Sequence, residues 1–376
     1  MAGIYLHIPF CKQACYYCDF HFSTNTGIRT DLVRAMGEEI LLQRNYLRGE
    51  IIDTIYFGGG TPSLLEPGEL ELLLGLIYKT HRVREAAEVT LEANPDDLST
   101  EKLKDIRSIG INRLSIGIQS FDDRILHYLN RVHLAEAAIR AVRDAQATGF
   151  DNISIDLIYA IPGLSSENWK WNIDQAIALQ PQHISAYTLT IEDKTTFGKW
   201  LAKGKLQPVD EPLAAGQQEM LTESLSLAGY RQYEISNFAL PGFESRHNSG
   251  YWKGDKYLGI GPSAHSYDQE SRQHNIENNH LYVRSITEKK IPSVTEVLKR
   301  SDQINEYILT SLRTCEGCDL QKLKQDFNYD LITEHGKYIS ELQNRNLISL
   351  QPPRMKLTEA GRLLADKISS DLFLIE

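Results

Sequence analysis

Long hydrophobic runs are missing from this chain of 376 residues. No stretch approaches the roughly 18 consecutive apolar residues that a spanning helix requires. The opening MAGIYLHIPF has no basic region ahead of an apolar one. A membrane-spanning protein and a secretory leader are therefore not expected, and the cytoplasm is the expected location. Basic charge is also short, with 40 Lys+Arg against 50 Asp+Glu and a formal net charge of -10. Binding that depends on neutralising phosphates is disfavoured by that balance, so nucleic acid is not an expected partner. Cysteine is scarce too. There are 5 in all, and three of them, Cys11, Cys15 and Cys18, fall in the single stretch HIPFCKQACYYCDF. So few and so clustered, they exclude a secreted disulfide scaffold and point to reduced thiols available to a metal.

What is present is an alternation of strand-like and helix-like segments. Short β-branched runs occur at Ile4 to Ile8, Thr54 to Phe57, Val89 to Glu92, Arg113 to Ile118, Ile153 to Ile158 and His183 to Leu189. Between them, apolar residues recur at helical spacing, as in Leu32, Met36 and Ile40, or Leu70, Leu73, Leu74 and Ile77. Repeated βα units with near-continuous apolar strands predict a parallel sheet covered by helices. The unusual segments HIPFC, GGGTP, EANP, IQSFD and DLIYAIPG all begin at the C-terminal ends of these strands, where βα-barrel enzymes carry their chemistry. A partial (β/α)6 barrel is favoured over an open doubly wound sheet, which uses the same edge.

The expected organisation is a core barrel over residues 1–234, a loop-rich connecting segment over 235–295 and a C-terminal domain over 296–376. In the last of these, three helical patterns, a hairpin around the two prolines of LISLQPPRMKLT and a closing helix EAGRLLADKISSDLF resemble a winged helix. Residues 301–376 carry 9 Lys+Arg against 12 Asp+Glu, so the module lacks the basic face of a DNA-binding one and reads as a packing or partner module.

The spacing C-x3-C-x2-C lets three thiolates converge in one short loop. Zinc would take a fourth ligand, which His7 or His21 could supply. Three thiolates also suit a [4Fe–4S] cluster with one iron left open, since such clusters are held by four cysteines when fully ligated. Cys315 and Cys318 form a C-x2-C with no second pair, and read as two incidental thiols.

The triple-cysteine spacing, with Tyr17 before the last cysteine, resembles the signature of the radical S-adenosylmethionine enzymes. That resemblance implies a [4Fe–4S] cluster on Cys11, Cys15 and Cys18 whose open iron chelates S-adenosylmethionine and reduces it to give a 5′-deoxyadenosyl radical. It assigns the loop from Gly58 to Pro62 to the methionine end of the cofactor. The chain is similar, over almost its whole length, to the oxygen-independent coproporphyrinogen III oxidase branch of that superfamily. Matched positions then imply S-adenosylmethionine contacts from Tyr5, Gly59, Gly60, Thr61, Glu92, Gln119, Arg131 and Asp156. Two departures from the oxidase stand out. The oxidase has a further cysteine two residues after the third, where this chain has Phe20, and a substrate-contacting segment before the first strand, where only MAG stands here.

Cys18-Asp19-Phe20 and the sequence HNSGYW at 247–252 resemble instead the heme-chaperone members of the branch. The resemblance makes His247 a candidate axial ligand for heme, with Tyr251 and Trp252 offering flat apolar surface to a porphyrin. His265 is a second candidate. The expected function is to bind heme as cargo and hand it to acceptor hemoproteins, membrane-bound ones among them. A coproporphyrinogen dehydrogenase and a zinc-stabilised interaction protein are the alternatives, and a homodimer stays open.

Overall fold

The computed structural model describes residues 1–375. Six parallel strands form the centre of one sheet: β1 (Ala2–Ile8), β2 (Ile52–Gly59), β3 (Val83–Ala93), β4 (Arg113–Gln119), β5 (Ile153–Tyr159) and β6 (His183–Thr188). Each begins or ends within a few residues of a predicted run, because both faces are buried and the apolar signal is continuous; in β2 every residue from Ile52 to Gly58 is buried. The helices between them pack their apolar stripes on the outside of the sheet. In Pro67–Thr80 the buried residues are Leu70, Leu73, Leu74 and Ile77, and the helix starts at a proline behind a reciprocal cap between Glu66 and Glu69. Ser99 and Ser165 cap the helices Thr100–Ser108 and Ser166–Ala178 in the same sense, each hydroxyl accepting a backbone N–H.

Beyond β6 come β7 (Arg231–Gln232), β8 (Asn237–Ala239), β9 (Lys256–Ile260), β10 (His265–Tyr267), β11 (Ser271–Asn275) and β12 (Ser293–Val297). The full order is β12-β11-β10-β9-β1-β2-β3-β4-β5-β6-β8-β7, so the sheet has two edges and the barrel is a partial one. Strand β9 runs parallel to β1, with Leu6 opposite Ile260. The connecting segment is therefore less loop-like than its composition suggests, since it extends the core sheet on the β1 side. HNSGYW is likewise not a loop but lies in a helix, Arg246–Lys253, whose N-terminus is capped by Ser245.

A single buried carboxylate bolts this segment to the core. Glu39, on the helix Arg29–Leu42, accepts from the Gly261 backbone N–H (2.8 Å), from Asn275 Nδ2 (2.7 Å), from Gln43 Nε2 (3.0 Å) and from the Tyr282 hydroxyl (2.5 Å). Four donors offset the cost of burying the charge. Burial still pushes its pKa above the ordinary carboxylate value.

The C-terminal domain has its own core, built by Ile304, Ile308, Leu312, Leu331, Ile339, Leu342 and Met355. Its helices Arg300–Leu312, Leu320–Phe327 and Leu331–Asn344 pack with a small sheet of β13 (Cys318–Asp319), β14 (Ile348–Gln351) and β15 (Arg354–Leu357) in the order β13-β15-β14. The predicted closing helix is two short helices, Glu359–Arg362 and Ala365–Asp371. Cys318 is fully buried in this core and Cys315 is half-buried beside it. No helix among the described residues is long and apolar enough to cross a membrane.

Candidate functional site

The loop after β1 carries the three thiols and is closed on itself. Cys11 N–H donates to Ser23 O (3.1 Å) and Ser23 N–H to Pro9 O (2.8 Å), so residues 9 to 23 return to their starting point. Its outer part is tied to the segment after the helix Asp123–Tyr128: Tyr16 N–H donates to Leu129 O (3.2 Å), Gln13 Nε2 to Asn130 O (3.0 Å) and Asn130 Nδ2 to Ala14 O (2.7 Å). The thiols are held over the C-terminal ends of the strands by these bonds.

Each of two sulfurs meets a donor from elsewhere in the fold. Thr61 Oγ1 lies 3.4 Å from Cys11 Sγ, and Arg131 Nη1 lies 3.3 Å from Cys15 Sγ. Asn94 joins these donors. Its Oδ1 accepts from Arg131 Nη2 (2.6 Å) and its Nδ2 donates to Thr61 Oγ1 (3.3 Å). Arg131 Nη2 also donates to Gly117 O at 2.8 Å, while Arg131 Nε is buried with no partner. Burial pushes the Cys11 thiol up to about 11 and the Cys18 thiol up to about 12, so a metal that takes them as thiolates must displace protons.

Below the loop lies a cavity of about 540 Å³, and its wall contains Cys11, Cys15, Cys18, Gly59, Gly60, Thr61, Glu92, Gln119, Arg131 and Asp156. The structure thus brings together the three thiols and all but one of the residues matched to S-adenosylmethionine contacts. The exception, Tyr5, lines the neighbouring cavity. Gly59 has φ 105°, which an L side chain adopts only with strain, and a Cβ there would sit 2.7 Å from the His7 ring. Gln119 is held at φ 69° beside an irregularity in the β4–β5 register, a local strain placed at the rim of the cavity.

Two carboxylates stand in the cavity wall. Glu92 accepts from the Tyr56 hydroxyl (2.7 Å) and from Gly59 N–H (3.2 Å), and burial pushes its pKa up to about 7. Burial likewise raises Asp156 to about 6, against the hydrogen bonds of Ser185 and Ser115 and the charge of Arg113. Arg113, Asn94 and Tyr56 line the cavity without having been singled out from sequence. Arg113 is 1% exposed, and its Nε and Nη1 have no partner. Its position at the start of a strand offered no motif. Asn94 had a signal, the loop EANP, but no role was attached to it.

His247 lies elsewhere. It is 4% exposed; its Nδ1 is 2.7 Å from Thr54 Oγ1, its Nε2 is 2.9 Å from the Tyr251 hydroxyl, and its ring stacks on Tyr56 at 4.9 Å. Burial, and then the charge of Arg113, lowers its pKa to about 3. Both ring nitrogens of His247 are thus engaged and its ring is enclosed, so the heme ligation expected from HNSGYW would require one of these bonds to open.

The arrangement tests which metal group the thiols suit. Among the described residues, no group of three His, Cys, Asp or Glu side chains converges as a single ion would need. Three thiols spread along one cavity wall fit a cluster in which each holds a different iron. The unpartnered Arg131 Nε, and Arg113 deeper in the same wall, fit a ligand with an anionic end.

A parallel partial barrel with a triple-thiol loop at the C-terminal strand ends defines a radical S-adenosylmethionine protein, and residues 5–175 match the Radical SAM superfamily. Residues 298–364 match the HemN C-terminal domain. The chain is 36% identical over 371 residues to the heme chaperone HemW of Lactococcus lactis subsp. lactis, covering 98% of this chain and 97% of that protein. It is 33% identical to the heme chaperone HemW of Bacillus subtilis, covering 98% of each. The chain therefore belongs to the HemW family. The fold is shared with coproporphyrinogen III oxidase (HemN) from Escherichia coli, with a TM-score of 0.85 at 22% identity, covering 99% of this chain and 90% of that one.

Proposed function

We propose that this protein is a cytoplasmic heme chaperone that binds heme and passes it to acceptor hemoproteins. In this reading Cys11, Cys15 and Cys18 hold a [4Fe–4S] cluster, and Gly59, Gly60, Thr61, Glu92, Gln119, Arg131 and Asp156 hold S-adenosylmethionine, with Tyr5 behind them. The observation that carries it is the pairing of the thiol cavity with a second, larger cavity of about 890 Å³ on the other side of the same loop; Cys15, Cys18, Asp19 and Phe20 line both. A volume of this size is ordinary for a cofactor site.

The roles of the chain's own groups follow from their chemistry. The Arg131 guanidinium donates through Nη1 to Cys15 Sγ, and its free Nε is left to pair a carboxylate. Glu92 and Asp156, with pKa values raised toward neutrality, can accept from hydroxyl groups such as those of a ribose without presenting two full negative charges in one enclosed space. A cluster held by Cys11, Cys15 and Cys18 would supply the reducing electron for a sulfonium cofactor bound in this cavity.

Phe20 favours the chaperone over a coproporphyrinogen dehydrogenase. Where the oxidase pattern has a cysteine, this chain presents a phenylalanine that is 70% exposed and lines both cavities. Heme titration of the reconstituted protein, with coproporphyrinogen III turnover followed on the same sample, tests the choice. One heme per chain and no vinyl product is the expected result; sustained stoichiometric turnover would overturn it. Acceptors in a membrane and a homodimeric state are compatible with this function.

A further inference from the structure

We infer that Arg113 is a positioning residue of the thiol cavity, the standing positive charge that keeps Glu92 and Asp156 as hydroxyl acceptors. The inference rests on the S-adenosylmethionine reading above and concerns a residue which that reading leaves without a role. Buried charges elsewhere in this fold are matched. Asp53 pairs with Arg84 and Arg246, and Glu39 receives four donors. Arg113 is the exception: it is buried, its Nε and Nη1 have no hydrogen-bond partner, and no ion pair holds it among the described residues. A guanidinium buried in that condition costs stability, so its place is explained by the site and not by the fold.

The strand register sets this charge one layer below the two carboxylates. On the parallel β3–β4 ladder Arg113 stands opposite Thr90 and Ser115 opposite Glu92, so Arg113 lies one same-face step deeper than the Glu92 layer. Ser115 Oγ is 3.3 Å from Asp156 Oδ1, which fixes the second carboxylate in that layer. Glu92, Asp156 and Arg113 all line the thiol cavity. Arg131, the other guanidinium there, is already engaged with Asn94 Oδ1, Gly117 O and Cys15 Sγ.

Electrostatics gives the charge its task. Burial raises Glu92 to about 7 and Asp156 to about 6, and the charge of Arg113 works against burial at both. The phenols facing this layer are Tyr5 of β1, Tyr56 of β2, Tyr187 of β6 and Tyr251 of the helix Arg246–Lys253, with Tyr233 beside Arg113. Desolvation raises all five above the ordinary phenol value, so they stay neutral. His183 of β6 and His247 of the same helix are lowered by burial and then by Arg113, and are neutral too. Removing Arg113 would let both carboxyls hold their protons to higher pH. A protonated carboxyl gives up acceptor capacity, and the hydroxyl groups of a bound cofactor would lose their partners.

The test is S-adenosylmethionine binding to the cluster-reconstituted full chain, by titration calorimetry at pH 6.0, 7.0 and 8.5, for wild type, Arg113→Met and Arg113→Lys. The quantity read is the ratio of variant to wild-type Kd at each pH, in which the cofactor's own titration cancels. Arg113→Met should weaken binding about tenfold at pH 6.0, the equivalent of one pKa unit, with the ratio falling toward about one at pH 8.5. Arg113→Lys should stay near wild type throughout. Without ligand, Arg113→Met should melt at or above the wild-type temperature with full iron and sulfide content, since an unpaired buried charge has been exchanged for an apolar side chain. A ratio that does not change with pH would overturn the assignment, because Arg113 would then touch the anionic end of the ligand or nothing at all. Failure of Arg113→Met to fold would overturn it as well, since the guanidinium would then serve the fold. Absence of saturable binding in wild type would instead remove the S-adenosylmethionine reading itself, and this assignment with it.

Discussion

At the scale of single residues, the same side-chain types divide by what surrounds them. Cys11, Cys15 and Cys18 share a cavity wall with donors from Thr61 and Arg131, whereas Cys318 is sealed in an apolar core. Replacing any of the first three by Ser should abolish the iron and sulfide content expected after anaerobic reconstitution, about four of each per chain. Cys315→Ser should leave that content unchanged, and loss of the cluster there would mean that a ligand has been misassigned. His247 gives a second prediction. Its ring bonds Thr54 and Tyr251 and stacks on Tyr56, so His247→Ala should cost about 2–4 kcal/mol of stability and lower the melting temperature. The pH dependence has a definite sign. The folded pKa of about 3 lies below the ordinary value of 6.5, so the fold resists protonation and stability is lost as pH falls from about 6.5 toward 3. Thermal melts at pH 7 and pH 4.5 should show a larger drop for wild type than for His247→Gln; equal drops would place the acid sensitivity elsewhere.

At the scale of elements, the parallel strands were legible because each is buried on both faces and reads as an apolar run, and their ends are marked by glycine and proline. The cluster loop was legible for a different reason, since cysteine is rare enough here that its spacing carries information. The helix Arg246–Lys253 was not legible. It buries only His247 within its length, and its Asn, Ser and Gly residues mimic a loop; packing on the barrel and the Ser245 cap hold it helical. Strand β9 was hidden similarly, being five residues with a glycine among them, and it is recruited by pairing with β1 rather than by its own propensity. The element that makes this recruitment permanent is the Glu39 node. Glu39→Gln puts an amide that cannot accept where two donors converge, so it should destabilise by about 2–4 kcal/mol. Hydrogen exchange should rise first in residues 256–275 while β2 to β5 stay protected. Uniform acceleration across the whole sheet would show that the node serves the barrel and not the connecting segment.

At the scale of the whole molecule, two apolar cores are joined along a seam where Arg313 lies over the Trp252 ring, Cys315 N–H donates to Tyr233 O (2.9 Å) and Arg272 pairs with Glu306. That seam is also a wall of the larger cavity, because Glu306 and Thr310 of the helix Arg300–Leu312 line it. The thiol cavity has no such contribution; the residues around it run from Cys11 to Asn248. Under the proposed function, S-adenosylmethionine in the thiol cavity would touch only the barrel and the helix Arg246–Lys253, whereas heme in the larger cavity would lie between barrel and C-terminal domain. A change in one side chain of that domain should therefore act on heme without touching the cluster. Thr310→Trp adds a bulky ring to the cavity wall from the far side of the seam, on a helix whose buried face is formed by Ile304, Ile308 and Leu312 and is left intact. The expected outcome is a fall in heme stoichiometry well below one per chain, with iron and sulfide content and the melting temperature close to wild type. If heme still saturates at one per chain in this variant, the C-terminal domain is not a wall of the heme site and the cargo must be sought elsewhere on the barrel. If the cluster is lost along with heme, the two cavities are not separable, and the thiol loop depends on the C-terminal domain through contacts other than those described.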